Sequence, residues 1–364
     1  MDYKQRLSAI QETVVSENLD GFFAVNPINI RYLTGYTGTA ASLLVTRRRA
    51  LLLTDARYLF WCREHLPWVQ TVDLSQGLKK ILVRFLKSGA RLGFEAHHTS
   101  VAKREKIQKE WSGELVSTTG LVEQLRQEKS RNEIQLMKQG ADLTDKLFLF
   151  VRRMLRKNLQ VKQFVREREL AWQMEKYARG HGTEKMAFDA IIASSKNAAR
   201  PHHQTGRQLI KANQLLILDF GVVVSGYHTD MTRTVFFGDQ PTSKHRAVYE
   251  HVLQAQAQAI ADVRRGMTGE QADAISRNYF KGHGLQKYFT HSLGHGVGLE
   301  IHEAPTLSVK SQDVLHDGQV ITIEPGLYYE GWGGVRIEDM GVLQNGRWQN
   351  LYRAPSDWKS MVIG

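Results

Sequence analysis

The spacing of hydrophobic positions divides the chain into two halves with different patterns. Residues 1–120 alternate short apolar runs with stretches of helical periodicity. The predicted strands are 21–25, 41–46, 50–54 and 91–94, and the predicted helices are 3–17, 57–64, 78–87 and 101–111. Such an alternation is typical of an α/β layered domain.

A helix-capping sequence opens the second half. Ser130 followed by Glu133 is typical of a helix N-terminus, and apolar residues recur at three- and four-residue spacing after it. Further helices are predicted at 165–179, 243–266 and 269–281, with a strand at 187–193 and a hairpin at 215–238. This order predicts an α+β domain with helices on one face of an antiparallel sheet, and a weak internal repeat. We place the two domains at residues 1–124 and 125–364.

The hairpin carries two carboxylates that the pattern brings together. Ser225-Gly226 is a two-residue turn signal, and a turn there places Asp219 opposite residue 232. Asp230 then lies two positions further along the same strand and on the same face, because side chains alternate with a period of two. Buried like charges at this separation repel strongly, so a cation is expected between them. The hairpin therefore predicts a metal site.

Composition and charge narrow the class of protein. No apolar run approaches the roughly 18 residues of a membrane span, the N-terminus lacks the apolar segment of a signal peptide, and the single Cys62 excludes an intrachain disulfide. We therefore predict a cytoplasmic protein without a membrane partner. The net charge of +12 suggests an anionic partner, but the densest basic stretch, 152–179, interleaves glutamates as solvated helix faces do. We predict no nucleic-acid partner.

A glycine-rich segment supplies three histidines. His291, His295 and His302 fall within twelve residues, and the glycines at 294, 296 and 298 argue against the helical HExxH zinc motif. In an extended chain a spacing of four places His291 and His295 on one face. A single histidine of this kind is more often an ordinary hydrogen-bonded residue than a metal ligand. With three of them together, the two roles become about equally plausible.

Two later strands supply further carboxylates. Glu324 ends an apolar run before a Pro-Gly turn, and Glu338 shares a strand face with Arg336. Taken alone, each is equally typical of a solvent-exposed strand. Together with the hairpin they give five candidate ligands: Asp219, Asp230, His295, Glu324 and Glu338. Four carboxylates and one imidazole suit ions such as Mn²⁺ or Co²⁺, and so much negative charge favours two ions.

The combined motifs resemble those of the pita-bread metallopeptidases. They are D-x₁₀-D, HSLGHGVGLEIHE, TIEPG and VRIED, and they are most similar to those of the Xaa-Pro aminopeptidases and Xaa-Pro dipeptidases (prolidases). The resemblance extends over nearly the whole chain. It implies an α/β creatinase-type N-terminal domain and an α+β pita-bread catalytic domain, whose curved antiparallel sheet has pseudo-two-fold symmetry.

The resemblance also implies a role for each ligand. Asp219 would bind one metal ion, Asp230 and Glu338 would bridge both ions, and His295 and Glu324 would bind the second. The implied cofactors are two divalent ions, with Mn²⁺ preferred and Co²⁺ or Zn²⁺ as alternatives.

Catalytic roles are implied in the same way. Glu324 would also relay protons, and His202 and His302 would face the substrate, His302 by hydrogen bonding to the scissile carbonyl or the intermediate. His291 would line the pocket, and Arg336 would orient the metal-binding carboxylates.

The implied activity is hydrolysis of the Xaa-Pro bond at the N-terminus of peptides with proline at the second position, by a homodimeric enzyme. Several dipeptidase relatives have an arginine after the HE-x-P segment that can reach the substrate's C-terminal carboxylate. Here Thr306 stands in that position. We therefore expect an Xaa-Pro aminopeptidase, with a dipeptide-specific prolidase as the alternative. A non-catalytic pita-bread binding module is a further alternative, which the complete ligand set disfavours.

Overall fold

The computed structural model describes all 364 residues, Met1–Gly364. They form two compact units, Met1–Arg126 and Gln127–Gly364. None of the helices combines the length and the apolar character that crossing a membrane would require.

The N-terminal unit is a six-stranded mixed sheet with helical connections. Its elements are α1 Tyr3–Ser16, β1 Gly21–Ala24, α2 Pro27–Thr34, β2 Ala41–Thr46, β3 Ala50–Thr54, α3 Ala56–His65, β4 Gln70–Asp73, α4 Leu78–Phe85, β5 Arg91–Glu95, α5 Val101–Glu110, β6 Glu114–Thr118 and α6 Leu121–Gln127. The strand order is β4-β3-β2-β1-β5-β6, and β2 runs antiparallel to both of its neighbours. The remaining pairs are parallel, so the predicted α/β layering is confirmed.

Several elements of this unit carry weaker sequence signals. Helix α2 is only eight residues long, begins after the capping side chain of Asn26 and ends at Gly35, whose φ is 81°. Strands β4 and β6 lie at the two edges of the sheet, and their sequences are largely polar because edge strands face solvent. None of these was predicted from the apolar runs.

The C-terminal unit is larger and α+β. Its elements are α7 Arg131–Gln160, α8 Glu167–Gly180, β7 Lys185–Met186, β8 Ile191–Ser194, β9 Gln214–Phe220, β10 Val222–Val224, β11 Tyr227–His228, β12 Met231–Phe237, α9 Ser243–Asp262, α10 Gly269–Gly282, β13 Gly294–Gly296, β14 Glu303–Leu307, β15 Val320–Ile323, β16 Gly326–Tyr329, β17 Gly333–Arg336, β18 Asp339–Gln344, β19 Arg347–Asn350, α11 Trp358–Met361 and β20 Val362–Ile363. The capping box formed by Ser130 and Glu133 is confirmed.

The two main sheets of this unit repeat one arrangement. Helices α7 and α8 precede the sheet β20-β12-β9-β8, and α9 and α10 precede the sheet β14-β13-β15-β18-β19. The sheets meet where Thr232 in β12 forms an antiparallel bridge with Glu338, just before β18. Beside this bridge Arg233, which is fully buried, forms an ion pair with Asp339 at 2.6 Å. A buried ion pair therefore lies at the junction of the two halves.

The register of the hairpin is the one predicted, with Asp219 opposite Thr232. The strand predicted at 187–193 begins only at Ile191. Ile191 pairs with Asp219 near the end of β9, so residues 187–190 have no partner in that sheet.

The hairpin is interrupted at Gly221. Beyond it, β10 pairs with β11 on one side and with β7 on the other, in a separate sheet. In the turn between β10 and β11, Ser225 and Gly226 have φ values of 50° and 83°. A Cβ atom on Gly221 would lie 1.7 Å from the carbonyl oxygen of Thr229. Only glycine therefore permits this close approach of the two chains, directly before Asp230.

We expect Gly221→Ala to lower the free energy of unfolding by about 3 kcal/mol or more, because the backbone of one strand has to move. Gly180→Ala is the control, since nothing lies within 4 Å of a Cβ atom there. Chemical denaturation measures both. Equal stability of the two variants would show that the close approach at Gly221 is not required.

Candidate metal centre

One pocket of the C-terminal unit brings together every site residue that the sequence singled out. Its volume is about 460 Å³. The predicted residues that line it are His202, Asp219, Asp230, His291, His295, His302, Glu324, Arg336 and Glu338.

The carboxylates lie where strands begin or end. Asp219 is the penultimate residue of β9, and Asp230 directly precedes β12. Glu324 directly follows β15, and Glu338 directly precedes β18. Each of the two sheets thus contributes two carboxylates from positions at the ends of largely buried strands.

The ligand atoms are close enough to share an ion. His295 Nε2 lies 3.6 Å from Asp230 Oδ2 and 3.5 Å from Glu324 Oε1. Ligand atoms of Asp230, His295 and Glu338 all lie within 4.8 Å of one another. Two ligand atoms that each bind an ion at about 2.1 Å are separated by at most about 4.2 Å. The two distances from His295 satisfy this limit.

Burial and mutual repulsion disfavour the ionised form of the carboxylates. The pKa values of Asp230 and Glu324 are raised well above their usual values. Burial is the largest cause for both, and the negative charge of Glu338 is the second. Burial, followed by Asp219, raises the pKa of Glu338 to about 8. Burial also raises the pKa of Asp219, although the guanidinium of Arg336 opposes this shift. A divalent cation would stabilise the ionised forms of all four.

Two carboxylate oxygens of the pocket have no hydrogen-bond partner. They are Asp219 Oδ1 and Asp230 Oδ1, and both are buried. A buried acceptor without a donor costs free energy, so such atoms need an explanation. A metal ion would satisfy both, and four carboxylates with one imidazole suit a hard or borderline divalent ion. The residues present therefore fit a metal centre.

Arg336 holds the other oxygen of Asp219. Its Nη2 lies 2.5 Å from Asp219 Oδ2, its Nε donates to Thr232 Oγ1 at 3.0 Å, and its Nη1 donates to Tyr328 Oη at 3.0 Å. The guanidinium is buried and fixed by these contacts. Asp219 is thus oriented so that Oδ1 remains free for a ligand.

The histidines have defined hydrogen-bonding roles. His295 Nδ1 donates to the carbonyl of Gly296 at 3.0 Å, which leaves Nε2 with a lone pair towards Asp230 and Glu324. Burial, followed by the neighbouring His302, lowers the pKa of His295 to about 4. The ring is therefore neutral near pH 7, as metal binding requires. The ring centroids of His295 and His302 are 4.3 Å apart.

His291 belongs to a hydrogen-bonded chain rather than to the cluster of ligand atoms. Its Nδ1 donates to the Ser292 carbonyl at 2.8 Å, so its Nε2 accepts from Tyr328 Oη at 2.9 Å. Burial, followed by the charge of Arg336, lowers the pKa of His291 to about 3. His291 thus supports Arg336 through Tyr328.

Two supporting residues were missed from the sequence. Thr232 Oγ1 donates to Glu338 Oε2 at 2.6 Å, and Tyr352 Oη donates to the carbonyl of Asp230 at 2.6 Å while accepting from its N–H at 3.1 Å. The predicted register, which placed residue 232 opposite Asp219, was a usable signal for Thr232. Tyr352 lies 122 residues from Asp230, and no local pattern connects the two.

Comparison with known proteins agrees with this fold. The sequence profile of "Metallopeptidase family M24" matches residues 135–345, and that of "Creatinase/Prolidase N-terminal domain" matches residues 6–127. The chain belongs to metallopeptidase family M24, the class that the fold and the donor set define. The predicted pita-bread fold with a creatinase-type N-terminal domain is thereby confirmed.

Particular relatives cover almost the entire chain. An Xaa-Pro dipeptidase from Pyrococcus furiosus is 33% identical over 347 residues, which are 94% of this chain and 96% of that protein. The structure of an Xaa-Pro dipeptidase from Bacillus anthracis matches with a TM-score of 0.93 and 31% identity, over 99% of this chain and 100% of that one. An X-Pro aminopeptidase from Thermotoga maritima matches with a TM-score of 0.86 and 28% identity, over 95% and 98%.

We expect Thr232→Val to weaken Mn²⁺ binding by about 10- to 100-fold, because Glu338 loses the donor that orients it. Titration calorimetry with Mn²⁺ measures the affinity. Thr34→Val is the matched control, since it removes another buried threonine hydroxyl, in the N-terminal unit. Unchanged affinity in Thr232→Val, with the control also unchanged, would contradict the role of Thr232.

Proposed function

We propose that this chain is a metal-dependent Xaa-Pro dipeptidase, which hydrolyses the bond between any residue and a following proline. The observation that carries the chemistry is the convergence of five ligand residues of a metallopeptidase on one pocket. The preference for dipeptides rests on the relatives in the comparisons. The relative from Pyrococcus furiosus is an Xaa-Pro dipeptidase. So is the Bacillus anthracis protein, whose structure has the higher TM-score of the two described above. They favour this alternative over the aminopeptidase expected from Thr306.

The proposed ligand assignment is the one that the family resemblance implies, and the distances in the pocket are compatible with it. Asp219 would hold one ion through its free Oδ1, Asp230 and Glu338 would be shared by two ions, and His295 and Glu324 would hold the second. When bound, the two divalent ions would supply Lewis-acid charge and make a water molecule more acidic at neutral pH. Mn²⁺ is the proposed ion because the donors are mainly carboxylates.

The side chains around the ligands would move protons and stabilise charge. Glu324 would accept a proton from the attacking water and return it to the nitrogen of the leaving proline, since its side chain lies beside the cluster and is 17% exposed. His302 would donate a hydrogen bond to the oxygen of the scissile carbonyl, where negative charge develops. His202 would contact the substrate from the opposite loop, and Arg336 would keep Asp219 in place.

The shape of the pocket suits the chemistry of an Xaa-Pro bond. The nitrogen of this bond carries no hydrogen, so the pocket needs no acceptor for it and can rely on apolar contacts. Phe188, Ile191 and Ile301 supply apolar surface beside the ligand cluster. We propose that they contact the substrate.

An Xaa-Pro aminopeptidase is the second candidate, and one observation favours it. A dipeptide carries its free carboxylate close to the scissile bond, and a cation is the natural partner for it. Arg336 is the only lysine or arginine that lines the pocket, and it is already bonded to Asp219, Thr232 and Tyr328. The side chain that follows Pro305 is the uncharged Thr306.

Substrate length separates the two candidates. We expect kcat/KM for Ala-Pro to exceed that for Ala-Pro-Ala by at least about tenfold, because only the dipeptide presents a carboxylate on its proline. The two peptides are compared under identical metal loading. A preference for the tripeptide would establish the aminopeptidase instead.

We expect Glu338→Gln to lower activity by at least about a hundredfold, since even residues that only orient metal ligands contribute 10- to 100-fold. The substitution keeps the shape of the side chain and removes its charge. Glu330→Gln is the matched control, because Glu330 is exposed and outside the pocket. Wild-type activity and Mn²⁺ affinity in Glu338→Gln would refute the assignment of Glu338.

We expect protein stripped with EDTA to lose Xaa-Pro hydrolysis, and Mn²⁺ to restore more activity than Co²⁺ or Zn²⁺ at equal concentration. The physical reason is the excess of carboxylate donors over imidazole. Hydrolysis rates after re-addition of each ion measure this. Activity that survives complete chelation would contradict the metal-dependent mechanism, and a maximum with Zn²⁺ would contradict the choice of Mn²⁺.

The homodimer and the cytoplasmic location stay predictions made from the sequence. Light scattering after size-exclusion chromatography tests the first, since a dimer of this chain would have twice its mass of 41.5 kDa.

A further inference from the structure

The N-terminal unit has a cavity of its own, of about 510 Å³. It lies where the parallel strands β1, β3 and β4 end, since the residues that follow them, Val25, Asp55 and Leu74, all line it. In open α/β sheets, ligands bind in the crevice at the carboxyl ends of the strands. The position of this cavity is therefore the one in which such folds hold small molecules.

The walls of the cavity are mainly apolar. Phe23, Val25, Ile30 and Ile107 form part of the lining and are otherwise buried, and Leu78 lines it from the start of α4. Small-molecule sites typically have volumes of about 300–1,000 Å³, apolar walls and a few polar groups that orient the ligand. The volume and the lining both meet this description.

A lysine without a partner lines the same cavity. Lys103, in the first turn of α5, is only partly exposed, and its ammonium group has no hydrogen bond or ion pair in the structure. Burial lowers its pKa. The nearby buried carboxylate, Glu95, already accepts hydrogen bonds from the N–H groups of Val25 and Asn26 and from Asn29. Lys103 is thus a cation available to a ligand.

The other charged groups that line the cavity do not neutralise Lys103. Asp55 is bonded to Arg57, and Glu110 accepts from the backbone N–H of Lys79. Lys106 is exposed and adds a second positive charge at the same wall. Two lysines and two carboxylates thus line the cavity, but neither Asp55 nor Glu110 is paired with Lys103. Lys103 and Lys106 therefore place positive charge on one wall, beside apolar surface.

A serine hydroxyl adds a polar group to the wall of the cavity. Ser42 lines the cavity from β2 and is 7% exposed as a residue, and its hydroxyl forms no hydrogen bond with the protein. The hydroxyl is accessible from the cavity, so it is a donor and acceptor open to a bound molecule.

We propose that this cavity binds a small amphipathic carboxylic acid, with its carboxylate at Lys103 and its apolar body against Phe23, Ile30 and Ile107. The site is independent of the metal centre and of the activity proposed for it. A phosphate ester fits less well, because phosphate sites in α/β folds use free N–H groups at helix N-termini. At this edge the N–H groups of Val25 and Asn26 bind Glu95, and Asp55 caps α3.

The test measures binding of 4-phenylbutyrate to the full-length protein by calorimetry, beside its uncharged amide and 2-phenylethyl phosphate. We expect the acid to bind at least about tenfold more tightly than the amide, since a charged hydrogen bond is lost in the amide. In NMR spectra of protein with labelled isoleucine methyl groups, we expect the resonances of Ile30 and Ile107 to shift when the protein is saturated with 4-phenylbutyrate. Equal binding of acid and amide, tighter binding of the phosphate, no binding of the acid, or shifts confined to other isoleucines would each overturn the proposal.

Variants locate the carboxylate. We expect Lys103→Met to weaken 4-phenylbutyrate binding at least about tenfold, whereas Lys109→Met, an exposed residue of the same helix outside the cavity, leaves it unchanged. Leu74→Glu places a negative charge at the exposed rim, where folding tolerates it, and should weaken the acid but not the amide. Wild-type affinity in both Lys103→Met and Leu74→Glu would overturn the proposal.

Discussion

Repulsion between four closely spaced carboxylates, three of them buried and Glu324 half-buried, is the constraint on which the catalytic unit depends. Asp219, Asp230, Glu324 and Glu338 line one pocket, and their pKa values are raised by burial and, for all but Asp219, by one another's charges. Such a set is stable only if each group is held in place and its charge is compensated. Arg336 supplies one fixed positive charge inside the protein, and a divalent metal centre accounts for the remainder.

The surrounding structure holds these carboxylates through contacts between the two halves of the unit. The hydroxyl of Thr232, from one sheet, bonds to Glu338 of the other, and Arg336 reaches back to Asp219. Arg233 bonds both to the carbonyl of Glu338 and to the side chain of Asp339. Because these groups form one buried network, loss of a single member leaves others unpaired, and its effect exceeds that of one hydrogen bond.

Local sequence motifs were enough to single out the predicted ligands, which lie in one pocket, but only some of the residues that support them. The Ser225-Gly226 turn fixed the pairing of Asp219 with Thr232, and alternation along the strand placed Asp230 on the same side. Tyr352 clamps the backbone of Asp230, yet it lies far along the chain, and its role arises only from the tertiary fold. The break in the hairpin was equally unpredictable, since it depends on the approach of Gly221 to a backbone carbonyl. Apolar runs revealed the central strands of the N-terminal unit but not its polar edges.

The number of metal ions per chain tests the central claim most directly. After loading with Mn²⁺ and dialysis, elemental analysis of the wild type should give two ions per chain. Asp219→Asn should give one, because Asp219 is assigned to one ion only and its free Oδ1 would lose its charge. A wild type that retains no more than one ion, or an Asp219→Asn variant that still retains two, would contradict a shared two-ion centre.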